Sequence, residues 1–384
     1  VIKPIFVDCK SEIKMPFTTT EHQKPSLLIV GAGFDGGGAT PVVLSEVFTQ
    51  PAFKPFDITF VGFGNGVERT FKGIHCINLP DPYVGGKHPF VRLCRKIRSC
   101  TNQDIFPSGA GYVFQMMKKR LRKKRFDLVL GAPGLFMECA YKYSILTKSK
   151  FGMIYTDPFS LNPLAGKFKE KRCKKEYAWE SLASVIFYDN DGPVPPFGEF
   201  DQKKNIFYFP IAGPISSLPE PKKSIVYGGA FYKGLREQDG IYNLAKRQDM
   251  QDYTFDIYSD ICPPPGIPNL KVHGYVKKDV FESKCLDAKA IIVVGNKTNM
   301  VYIPSKYLTD ISLRRPIIGV DSGAELKYLQ KYPFFVSSRD ENLRKKLESF
   351  TNEELLSFNP YLAYPERDPD IIASKIAVQI KDIL

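Results

Sequence analysis

Residues 302–325 read YIPSKYLTDISLRRPIIGVDSGAE and hold a serine, a lysine and two acids in places that suit anion and hydroxyl binding. Ser305 stands directly before an apolar periodicity, where the N-cap of a helix belongs, so the free N–H groups of residues 306–308 would form an anion site. Lys306, and Lys233 in the stretch GGAFYKG, would add positive charge. Such groups stabilise a leaving group that gains negative charge in a transition state. The plainer reading of both lysines is a solvated turn.

A second constellation lies in LLIVGAGFDGGGATPVVLSE, residues 27–46, where a strand meets a glycine-rich turn and then a helix. Gly31, Gly33 and Gly36 fit the G-x-G-x-x-G spacing of dinucleotide folds, and Gly37 extends the loop. The second strand ends FVGFGN, without the acid that would hold a ribose, and no G-K-[ST] follows the glycines. A nicotinamide enzyme and a P-loop are both disfavoured. The loop then either lines a ligand cleft through Gly33, Gly36 and Gly37 or serves close helix–strand packing. Asp35 within it, and Asp157 at the end of GMIYTD, are candidate general bases or else turn formers.

Bulk properties bound the rest. A chain of 384 residues with 43% hydrophobic and 25% charged residues is globular and long enough for two cores. Its net charge of +13 favours anionic partners. Eight cysteines without a C-x-x-C pair, and four histidines without paired spacing, argue against a zinc site or a disulfide framework. No metal ligand set is expected, and a reducing compartment fits. No stretch approaches membrane-span length and the first residues lack signal-peptide architecture, so a cytoplasmic or membrane-peripheral protein is expected. Starting at Val1, the chain reads as a processed product or one module of a longer polypeptide.

The elements that position these residues alternate regularly. Apolar strands SLLIV, DITFVGFG, DLVLG and FGMIY are separated by helical patterns, and a second series, SIVYGGA through AIIVVGN to PIIGV, follows a proline-containing connection. The expected fold class is α/β: two Rossmann-like doubly wound domains facing across a cleft. We divide the chain into an N-terminal arm (1–25), an N-terminal Rossmann-like domain (26–200), a linker (201–222), a C-terminal Rossmann-like domain (223–364) and a C-terminal helix (365–384). Ligands of open α/β sheets bind beyond the carboxyl ends of the strands, which directs attention to the cleft.

The motif YIPSKYLTDISLRRPIIGV followed by DSGAEL resembles glycosyltransferases of the two-Rossmann GT-B class, where P-S-K-x-x-E-Y-x-x-x-G-x-P-I-I is followed by Gly and Glu. SIVYGGAFYKG, PNLKVHGYV, FYFPIAGPI and YTDP agree with that class in order. The resemblance implies a metal-independent, hexosyltransferase-type enzyme that uses a nucleoside-diphosphate sugar as substrate, with no cofactor. It implies that His273, Gly274, Tyr275 and Val276 line the base pocket and that Glu325 contacts donor sugar or ribose. The class often carries a pair of glutamates that would fall at Val301 and Thr309; this chain lacks both, and Asp310 is the neighbouring substitute for the ribose hydroxyls. The other readings are an oxidoreductase, a nucleotide-sugar epimerase and a degenerate, non-catalytic module.

Three basic segments fall in the first half: residues 87–100, 167–180 and KKRLRKKRF. They are either solvated helix faces or contacts with an anionic membrane or a phosphorylated acceptor. Aromatic residues are too sparse among them for nucleic-acid binding. The expected partners are therefore a nucleotide-sugar donor, a glycan or lipid-linked acceptor and an anionic membrane surface, without nucleic acid.

Overall fold

The computed structural model describes residues 24–32, 39–64, 66–80, 109–155, 159–160, 169–188, 197–213, 215–232, 234–261, 266–296, 303–321, 323 and 326–384. Gly33, Asp35, Gly36, Gly37, Asp157, Lys233, Glu325 and the basic segment 87–100 lie outside them.

Strands β1 (Ser26–Val30), β2 (Asp57–Gly64), β3 (Glu68–Phe71), β4 (Ile74–Pro80), β5 (Leu128–Gly131), β6 (Lys150–Tyr155), β7 (Val185–Tyr188) and β8 (Lys204–Ile206) form one sheet. Its order is β3-β4-β2-β1-β5-β6-β7-β8, and only β3 runs antiparallel. Strands β9 (Lys222–Gly228), β10 (Thr254–Tyr258), β11 (Leu270–Val272), β12 (Ala288–Val294), β13 (Ile317–Val320) and β14 (Phe335–Ser337) form the second. This sheet is wholly parallel, ordered β11-β10-β9-β12-β13-β14. The helices of at least eight described residues are α1 (Ala39–Phe48), α2 (Gly109–Arg120), α3 (Leu135–Thr147), α4 (Lys169–Leu182), α5 (Asp239–Lys246), α6 (Lys278–Asp287), α7 (Ser305–Ser312) and α8 (Pro369–Ile383).

The continuous apolar run of β1 follows from burial on both sides. Leu27 and Ile29 pack into a core with Val43, Leu44 and Val47 of α1, while Leu28 and Val30 pack into another with Val113 of α2 and Ala140 of α3. Each such side chain contributes about 1.5–3 kcal/mol. Gly131 lets α3 lie tight on β5, since a Cβ there would come within 2.9 Å of Ala140 Cβ. In both sheets the strand order reverses around the first strand: β1 separates β2 from β5, and β9 separates β10 from β12. A parallel sheet opens its ligand crevice at such a switch point.

Two crossings join the halves. Arg315 donates to Pro219 O at 2.6 Å and to Leu286 O, and Arg367 donates to Phe209 O at 3.3 Å. Tyr361 Oη donates to Ile211 O at 3.2 Å. α8 then returns to pack on α1. Its start, DPD at 368–370, is a cap: Asp368 accepts from Asp370 N, with Pro369 at the first helical position. The basic segment KKRLRKKRF is helical only as far as Arg120, where α2 ends, and Arg122 and Lys123 turn left-handed, with φ of 47° and 58°.

Candidate functional site

A cavity of about 410 Å³ lies where the two switch points face each other. Its walls come from five places. α1 contributes Val43 and Glu46, and the first crossing contributes Phe209, Pro210 and Ala212. The carboxyl ends of β9 and β10 bring Gly228, Gly229 and Tyr258. The segment 275–278 and α6 bring Tyr275, Val276, Phe281 and Glu282, and α7 brings Ser305, Lys306, Thr309 and Asp310. Gly228 is there because the Phe281 ring takes the place of a side chain: a Cβ would sit 2.3 Å from it.

Asp310 is the anomaly of this wall. It is 1% exposed, and neither carboxylate oxygen has a hydrogen-bond partner among the described residues. Burial raises its pKa to about 6, opposed by Lys306, whose Nζ stands 3.5 Å away one helical turn earlier. That separation is the outer limit of a hydrogen bond, so the ammonium supplies charge rather than a bonded partner. A buried carboxylate without partners costs free energy unless donors reach it. Lys306 is itself loosely held, 3.4 Å from Ile292 O and 4.8 Å above the Tyr227 ring.

The start of α7 differs in detail from the sequence reading. Pro304 occupies the N-cap position and Ser305 is the first helical residue, without a side-chain cap bond. The Tyr307 N–H donates back to Pro304 O at 2.9 Å, so it is not among the free donors. Thr309, whose hydroxyl lies 3.5 Å from Ser305 O, lines the cavity with Asp310.

Of the HGYV stretch, Tyr275 and Val276 line the cavity; Tyr275 is 62% exposed. Gly274 takes φ of 71°, a left-handed conformation that glycine adopts freely. His273 stands behind the wall, stacked on Tyr258 at 4.8 Å with Nε2 2.6 Å from Asp256 Oδ1. Sequence reasoning missed Tyr258, Phe281, Glu282 and Glu46. It also missed Arg236, which donates to Asn296 Oδ1 at 3.2 and 3.0 Å beyond the ends of β9 and β12. Only the position of Tyr258 at a strand's carboxyl end was a usable signal.

The cavity pairs aromatic surface with an acid that lacks donors, Asp310, and with lysines at two helix starts: Lys277 and Lys278 at α6, and Lys306 at α7. Such a set can stack a planar ring, accept from hydroxyls and hold an anion.

No family model matches the sequence, and no curated protein matches it. Solved structures do. The chain is similar to Anabaena HepE in complex with UDP and glucose, with a TM-score of 0.59 and 11% identity, covering 93% of this chain and 100% of that one. It is similar to sucrose-phosphate synthase of Thermosynechococcus elongatus, with a TM-score of 0.58 and 12% identity over 94% and 99% of the two chains. A Listeria monocytogenes protein assigned as a UDP-N-acetylglucosamine 2-epimerase also matches, with a TM-score of 0.52 and 10% identity over 94% and 96%. At these identities the likeness shows the fold: the chain has the two-domain GT-B architecture, shared by transferases and an epimerase.

Proposed function

We propose that the chain transfers a sugar from a nucleoside-diphosphate donor, bound mainly by the C-terminal half, to a glycan or lipid-linked acceptor received by the N-terminal half. The observation that carries this reading is the unpartnered Asp310 carboxylate in the cavity wall, one helical turn from Lys306. In the bound state Asp310 accepts from the ribose hydroxyls. Lys306 and the N–H groups of Ser305 and Lys306, rather than a metal ion, neutralise the diphosphate. Tyr275, Val276 and the Tyr258 ring form the wall for the base, with His273 and Gly274 behind it.

The bond between the anomeric carbon and the diphosphate oxygen breaks, and an acceptor oxygen bonds to that carbon. The acceptor proton goes to a carboxylate, for which Asp35 and Asp157 are our candidates, or to the leaving phosphate. Gly33, Gly36, Gly37, Lys233 and Glu325 complete the proposed donor and sugar contacts. Binding of UDP by HepE supports a uridine nucleotide as the first donor to test.

The likeness to the Listeria protein favours one second reading, nucleotide-sugar epimerisation. The two separate in one experiment. The chain is incubated with UDP-glucose and, separately, with UDP-N-acetylglucosamine, with and without a mixture of lipid and oligosaccharide acceptors, and the products are resolved by mass spectrometry and NMR. Release of UDP that depends on acceptor supports transfer. Epimerised nucleotide sugar formed without acceptor supports epimerisation. Thermal stabilisation by NAD alone would overturn both.

A further inference from the structure

The amino edge of the first sheet, the edge away from the cavity, concentrates cations where the backbone does not favour them. Six non-glycine residues among those described have a left-handed φ, and four are basic residues on this edge: Lys72, Arg122, Lys123 and Lys148. Lys72 forms the β3–β4 hairpin, Arg122 and Lys123 link α2 to β5, and Lys148 closes α3 before β6. A residue with a Cβ costs about 1–2 kcal/mol in this region, a cost that glycine escapes and asparagine lessens. Attraction of cations to helix C-termini covers Lys148, but not a hairpin or residues beyond the helix end.

Apolar side chains lie beside these charges. Ile145 and Leu146 in the last turn of α3 are 53% and 40% exposed, and Leu182 at the end of α4 is 44% exposed. The basic turn is tied to α3: Tyr143 Oη donates to Lys124 O at 2.8 Å, and Phe126 N donates to Ser149 Oγ at 3.2 Å. Cations with long stems and exposed aliphatic groups therefore share one face.

We propose that this edge docks the chain on an anionic phospholipid bilayer. Lys72, Arg122, Lys123 and Lys148 meet the headgroups while Ile145, Leu146 and Leu182 enter the acyl boundary. None of the described helices is long and apolar enough to cross a membrane, so the attachment is peripheral. A single-stranded nucleic acid would be met by exposed aromatic rings, and a duplex by cations without exposed aliphatic groups; here the apolar groups are aliphatic and exposed. The docked chain holds its cavity facing the water. This proposal is independent of the transferase reading.

The test is co-sedimentation of the full chain with vesicles of phosphatidylcholine, alone or with about 30 mol % phosphatidylglycerol, across a range of NaCl. Binding to the mixed vesicles that weakens with salt, and little binding to pure phosphatidylcholine, is expected. Arg122→Asn with Lys123→Asn keeps the left-handed turn and removes two charges. At about fivefold per basic residue, the loss of affinity is about 25-fold. Lys72→Asn with Lys148→Asn, on two other elements, gives a comparable loss and guards against a folding defect in the first pair. Ile145→Ser with Leu146→Ser weakens binding several-fold at unchanged net charge. Equal binding to both vesicle types, or an unaltered affinity in the serine variant, would overturn the proposal. So would binding of a DNA duplex as strong as vesicle binding and insensitive to the serine variant, which would mark a polyanion site.

Discussion

Asp310 is held in the cavity wall against its own preference for water. Its pKa, raised to about 6 from an ordinary 3.8, means that the folded state keeps a proton the unfolded chain has released. Below about pH 3.8 both states are protonated and the residue carries no penalty; stability is then lost as pH rises to about 6 and stays lowered above. Asp310→Asn is therefore expected to raise the stability of the unliganded chain at pH 8 by about 1–3 kcal/mol, with little change at pH 3.5, in urea unfolding. The same variant is expected to bind UDP at least about tenfold more weakly if, as proposed, the acid accepts from the ribose. A variant that is more stable and binds UDP as the parent does would separate the buried acid from the ligand. The sequence made Asp310 a candidate through its place in a motif, but not its isolation. Burial of Asp310 depends on chain segments remote from it in sequence, such as α1 and Phe281 of α6, and helical periodicity reports nothing of them.

At the scale of elements, Gly228 shows how a strand end shapes the site. Gly228→Ala forces the Phe281 ring away from β9, which costs about 1–3 kcal/mol and displaces the aromatic wall. Nucleotide affinity, read by calorimetry, is expected to fall more than the melting temperature suggests. In the N-terminal half, α4 reads as a basic segment, KEKRCKKEYAWESL, yet it buries Glu176 and Glu180 against β6. Tyr155 Oη donates to Glu180 at 2.8 Å, and Ser160 N donates to Glu176 at 3.3 Å. A charge tally conceals this, because the lysines that dominate it sit on the outer face. Burial pushes Glu180 up to about 7 from 4.5, with Glu176 adding to the rise, so stability is lost as pH climbs between those values. Glu180→Gln should accordingly unfold later than the parent above pH 7 and alike at pH 4. A parent-like profile at both pH values would mean that the acid is solvated. Short elements were the least legible: β3, β8 and β14 have three or four residues each, too few for a period to register.

For the whole molecule, the sequence carried the alternation of strands and helices, and with it the two facing sheets. It did not reveal how the halves are fastened. Arg315 and Arg367, 1% and 0% exposed, hold backbone carbonyls of the crossing rather than carboxylates, and no local pattern marks an arginine for that role. Arg315→Met leaves Pro219 O and Leu286 O without this donor and is expected to destabilise the chain by about 2–4 kcal/mol in urea unfolding. The glycine loop at residues 31–38 first suggests a dinucleotide site, whereas the nucleotide site we propose is the cavity that β9, β10, α6 and α7 help to line. The most direct test of that assignment is a crystal structure of the chain grown with UDP. The account predicts the diphosphate within hydrogen-bonding distance of the backbone at Ser305 and Lys306, with the ribose hydroxyls on Asp310. UDP bound away from α7, or no UDP bound at saturating concentration, would contradict it.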